Sequence, residues 1–254
     1  MANPNVLIAG GCSFTQVPST YKNWPIFLRD KLNIPAFFVG AGSSGNDFIS
    51  RRVICQTSQA LLKYKPEKIL VGVMWSGVSR KSFYFSDNPI DHFKFTPYIS
   101  KESMEDAYAN PNTVVMGGVK NTYFVNPHYN DELSKTYYKT YHDTVGALIE
   151  TIEHILRLQW FLKLNNIKYF FTEYSNDSLT TNHRDLHSHP DVKYLYDQID
   201  FNNFLPVENM EWWIRNESGI PYIDIRDNHP IDEMSSDFCD KIIIPHIKSR
   251  GYVS

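Results

Sequence analysis

Val6-Leu7-Ile8-Ala9-Gly10-Gly11-Cys12-Ser13-Phe14-Thr15 is the stretch that decides the fold. Four apolar residues running into two glycines read as a buried strand that ends in a tight turn. Ser13 is then presented at the carboxyl end of a strand, where open α/β sheets place their chemistry. A plainer role is open to the same residues. Ser13 or Thr15 could cap the next helix by accepting backbone N–H bonds.

Working outward, Trp24-Pro25-Ile26-Phe27-Leu28 through Leu32 has helical spacing, with Pro25 where a first turn tolerates it. Ala36-Phe37-Phe38-Val39 reads as a second buried strand. It opens into the small-residue turn Gly40-Ala41-Gly42-Ser43-Ser44-Gly45-Asn46-Asp47, followed by a long amphipathic helix from Phe48. Lys68-Ile69-Leu70-Val71-Gly72-Val73-Met74-Trp75 is a third strand, ending in Ser76-Gly77-Val78-Ser79-Arg80. From about 81 to 134 the periodicity gives way to aromatics, prolines and polar residues. That stretch is expected to be an irregular insertion covering the sheet's active edge.

The apolar positions of 144–164 recur near 3.6 residues and predict the clearest helix in the chain. Strands are expected at 167–171 and 220–224, short helical patterns near Tyr194-Leu195 and Met210 to Ile214, and a last helix over 238–247. Strands alternating with helices imply a parallel, doubly wound sheet. The predicted fold is a three-layer α/β/α, flavodoxin-like five-stranded parallel sheet in one domain spanning 1–254.

The chain has 254 residues, 42% hydrophobic and 21% charged, as in an ordinary globule and unlike a disordered chain. A net charge of −3 offers no electrostatic case for nucleic acid. No apolar run is long enough to span a membrane. Cys12, Cys55 and Cys239 are too scattered for a disulfide framework or a structural zinc site. The amino-terminal residues lack a signal-peptide pattern, so the expected setting is the cytoplasm or a virus particle.

Asp227-Asn228-His229-Pro230, just past the last expected strand, supplies a base and an acid. A serine hydroxyl is a weak nucleophile until a base takes its proton, and a carboxylate holds that base in the useful tautomer. Ser13, His229 and Asp227 are the three types required, each placed after a strand of one sheet. As an isolated motif, Asp227-x-His229 also fits a polar loop with a helix cap.

These residues resemble the SGNH, or GDSL-like, esterases and acylhydrolases. Gly11-Cys12-Ser13 is similar to that family's Gly-Asp-Ser block, with Cys12 in place of the aspartate. Gly40-Ala41-Gly42-Ser43-Ser44-Gly45 is similar to its Asn-x-Gly-x-x-Gly block, with Gly40 in place of the asparagine. The third block departs, because Trp75-Ser76-Gly77-Val78 holds no asparagine. The last block departs too, because Asp227 stands two positions before His229 instead of three. Asp224 is a second candidate for the acid. The blocks occur in the family's order across nearly the whole chain, and together with Trp75-Ser76-x-x-Ser79-Arg80 look most like divergent members encoded by marine bacteria and their phages.

The resemblance implies an esterase acting on a small acyl ester, such as an O-acetylated sugar, through an acyl-enzyme and without cofactor or metal. It implies Ser13 as nucleophile, His229 as base, Asp227 as orienting acid, and an oxyanion hole from the N–H groups of Ser13 and Gly45. Ser76 or Asn46 would replace the missing donor. The competing expectation is a non-enzymatic, structural or glycan-binding protein of similar fold, for instance a phage particle component. His183, Asp185, His187 and His189 crowd one segment, but a solvated loop is expected there in preference to a metal site.

Overall fold

The computed structural model describes residues 3–17, 19, 21–84, 113–115 (backbone only), 122–175, 177, 179, 183–220 and 229–254. In chain order its strands are β1 (Val6–Gly11), β2 (Ala36–Phe38), β3 (Ile69–Trp75), β4 (Lys81–Tyr84), β5 (Thr113–Val115), β6 (Thr122–Val125) and β7 (Lys168–Glu173). The helices are α1 (Trp24–Leu32), α2 (Asn46–Ala60), α3 (Glu132–Thr140), α4 (Thr144–Leu164), α5 (Pro190–Tyr196), α6 (Met210–Asn216), α7 (Asp232–Phe238) and α8 (Ile244–Ser249).

Every residue of β1 and β3 is buried, which is why both read as unbroken apolar runs. Successive side chains leave opposite faces. Leu7, Ala9, Leu70, Met74 and Phe170 enter one core with Trp213 and Ile214 of α6, Phe238 of α7 and Ile247 of α8. Val6, Ile8, Val71, Val73 and Phe171 enter the other with Ile49 and Val53 of α2, Leu148 and Ile152 of α4 and Val192 of α5. The result is three layers. Gly72 leaves the space that Phe170 and Trp24 fill, since a Cβ there would lie 2.5 Å from the Phe170 ring.

The expectation of a single five-stranded sheet, and with it the topology implied by the SGNH or GDSL-like resemblance, is corrected: the described strands form two separate sheets. The larger runs β5-β2-β1-β3-β7 with parallel neighbours, and β4 pairs antiparallel with β6 in the smaller. Within 81–134, expected to be irregular, the described residues contribute β4, β5, β6 and the start of α3, and β5 closes the edge beside β2. Thr113-Val114-Val115 and Thr122-Tyr123-Phe124-Val125 are rich in β-branched and aromatic residues, but such short runs become strands only when a partner edge is supplied.

The strand expected at 220–224 falls outside the described residues beyond Ile220. So do Asp224 and Asp227. The last helical run is longer than expected, from Asp232 to Ser249, and passes through a π-helical turn at Cys239–Ile243. That wide turn ends two residues before Pro245, whose ring and missing N–H disrupt regular α-helical bonding.

Candidate functional site at the carboxyl edge of the sheet

The turn after β1 is stapled from within. Thr15 N–H donates to the Cys12 carbonyl at 2.9 Å, and the Asn23 side-chain amide donates to the carbonyls of Ser13 (2.9 Å) and Gln16 (2.8 Å). Thr15 Oγ1 accepts from the Trp24 indole at 3.1 Å. Helix α1 begins at Trp24 with Asn23 at its N-cap, so neither Ser13 nor Thr15 caps it. Ser13 is partly exposed, and its hydroxyl makes no hydrogen bond among the described residues.

His229 is brought to this turn from 216 positions further along the chain. Its ring lies 5.1 Å, centroid to centroid, from that of Phe14, the residue next to Ser13. The opposite neighbour of Phe14 is Tyr174, just past β7, at 5.2 Å edge to face. Tyr174 in turn lies under Arg80, whose guanidinium carbon is 4.7 Å from the ring centroid. Arg80 Nη2 donates to the Tyr174 hydroxyl (3.0 Å) and Nη1 to Ser76 Oγ (3.1 Å). The ends of β1, β3 and β7 and the segment at His229 therefore meet.

Of the expected oxyanion donors, Gly45, Asn46 and Ser76 are committed elsewhere within the protein. Gly45 N–H donates to Ser82 Oγ of β4 at 3.2 Å. Asn46 accepts from Ser76 N–H at 2.8 Å, and its amide donates to the Ser76 carbonyl (3.1 Å) and to Thr151 Oγ1 (3.3 Å). Asn46 and Ser76 are 2% and 1% exposed, so this is an internal clamp between the loops after β2 and β3. Ser13 N–H makes no hydrogen bond among the described residues.

From 81–134, Phe124 and Tyr129 reach the loop and helix that follow β2. Tyr129 donates to Ser43 Oγ at 2.5 Å, and the rings of Phe48 and Phe124 meet at 5.1 Å. Nearby, a small cleft between α2 and α4 is lined by Asp47, Arg80, Lys81, Glu150 and His154 among others. Burial raises the pKa of Asp47 and, with Arg157 and Lys81, lowers that of His154 to about 4.

The histidine-rich segment is structural. His187 Nε2 pairs with the Leu179 carbonyl at 2.8 Å and its ring stacks on Tyr196, while His189 Nδ1 caps α5 at Asp191 N–H. Among the described residues no three His, Cys, Asp or Glu side chains are grouped to hold a metal, and no helix is long and apolar enough to cross a membrane.

The contacts of Arg80, Tyr174 and Ser82 are made across the fold and are not marked by a motif of their own. The available signal was Ser76-x-x-x-Arg80 directly after a buried strand, a placement that returns a long cation to the strand's end. Comparison of the chain with protein-family models, curated proteins and solved structures finds no match.

Proposed function

We propose that the chain is a serine esterase in which Ser13 attacks a small acyl ester, such as an O-acetylated sugar, and His229 accepts and returns the proton. The observation that carries this reading is the contact of His229 with Phe14, which brings an imidazole to the residue beside a partly exposed serine hydroxyl that has no partner among the described residues. An activated serine needs a base in that neighbourhood. Ser13 N–H is the donor left free for a developing oxyanion among the described residues. Asp227 remains the proposed orienting acid.

A second reading has a specific observation in its favour. The N–H of Gly45 and the amide of Asn46 are both spent on internal partners, which suits a non-enzymatic glycan-binding or structural protein. Treatment with a fluorophosphonate probe, followed by peptide mapping, separates the two. The esterase reading expects labelling at Ser13, lost in Ser13→Ala, and short-chain aryl ester turnover at least about a thousandfold lower in that variant. A folded wild type that takes no label and turns over no ester leaves the binding reading.

A further inference from the structure

Arg80 is a partly buried cation held by neutral groups. Of its five N–H donors, the described contacts use one on Ser76 Oγ and one on the Tyr174 hydroxyl, and no described carboxylate lies within ion-pair distance. Arg29, also buried, has Asp30 at 2.6 Å, so the absence at Arg80 is local and not a habit of this protein. Asp177 is near enough to favour the charge, but its carboxylate is turned to Ser79 Oγ at 2.7 Å and to His183 at 3.7 Å. Taking a cation partly out of water without a partner is costly. Burial also raises the pKa of Tyr174, against the pull of Arg80, so the phenol stays a neutral support.

We propose that Arg80, fixed by Ser76 and Tyr174 at the carboxyl edge of the sheet, anchors a ligand that carries a carboxylate. A guanidinium presents parallel N–H donors matched to the two oxygens of a planar carboxylate. A single cation with Asp177 close by suits one negative charge better than the two of a phosphate monoester. The partly exposed ring of Tyr174, against which the guanidinium lies, is the apolar surface next to such a ligand. This assignment stands whether or not Ser13 is a nucleophile.

The test follows the side-chain Nε–H resonance of Arg80 in ¹H–¹⁵N spectra of the whole protein, assigned through the wild-type backbone and by its loss in Arg80→Lys. Sodium acetate and sodium glucuronate are titrated against glucose, inorganic phosphate and sodium chloride at matched ionic strength. The expected result is a saturating shift with both carboxylates, at millimolar concentrations, and none with glucose or chloride. Tyr174→Phe should weaken the binding several-fold while the charge remains. The same titration in Ser13→Ala should be unchanged, which separates this inference from the esterase reading. A shift that never saturates, that chloride reproduces, or that appears with phosphate alone overturns the proposal.

Discussion

Asn46 holds the Ser76 peptide from both sides, accepting its N–H at 2.8 Å and donating to its carbonyl at 3.1 Å. Ser76 follows β3 and Asn46 begins α2, so one amide ties two crossover connections together where the site is built. Asn46→Ala would leave both backbone groups buried without partners. The expected destabilisation is about 2–4 kcal/mol, read from urea unfolding. A change below about half a kcal/mol would mean that the loops hold each other without the clamp.

Gly11 ends β1 with no room for a side chain. A Cβ there would lie 2.3 Å from Thr15 Oγ1 and 2.7 Å from the Met74 carbonyl oxygen. Thr15 is pinned by Trp24 and Met74 belongs to the neighbouring strand, so neither can withdraw cheaply. Gly11→Ala should cost about 2–3 kcal/mol. It should also disturb the Ser13 turn, visible as shifted amide resonances over residues 11–16. Wild-type stability together with an unperturbed turn would contradict this packing.

His154 makes stability depend on pH. Burial first, then Arg157 and Lys81, hold its pKa near about 4, while the unfolded chain titrates it near 6.5. The unfolded state therefore binds the proton first as pH falls, and the contribution of neutral His154, present above about 6.5, is lost on the way down to about 4. Its size is at most about 3 kcal/mol. His154→Gln should lose less stability than wild type between about pH 7 and pH 5. His187 and His246, also lowered by burial, retain part of the slope. Equal losses in both proteins would remove His154 from the account.

Asp47 acts in the opposite sense. Burial raises its pKa despite the Phe48 N–H, Lys81, Ser82 and Arg51, and Oδ1 is buried with no hydrogen-bond partner among the described residues. A raised carboxyl pKa means that the ionised form opposes folding, fully so above the folded pKa and not at all below the unfolded one. Asp47→Asn should melt higher than wild type near neutral pH, with the gap closing as the pH falls below the ordinary carboxylate range. A gap that is constant with pH would show that the gain is not electrostatic.

Much of the sheet was legible because burial on both faces leaves an uninterrupted apolar run. Val6 to Ala9 and Ile69 to Trp75 could be read directly, and the helix Thr144–Leu164 declared itself through a periodicity that only one apolar face produces. The segment 81–134 was not legible in the same way. Its described strands are three or four residues long and owe their form to a partner: β5 to the open edge of β2, β4 to β6. Local propensity cannot name a partner that lies outside the window in which it is read.

At the site, the residue types and the edge they occupy are legible in the chain alone: a serine after a buried strand, an imidazole far along the chain, small residues after β2. Tertiary structure alone decided what each group spends its hydrogen bonds on. Ser82 takes Gly45 N–H, Asn46 closes on Ser76, and Arg80 folds back over Tyr174 while His229 rests on Phe14. Hydrogen bonds and ring contacts are short-ranged, so the availability of a donor depends on which side chain arrives within about 3 Å. That is a property of the packed chain and is written in no single motif.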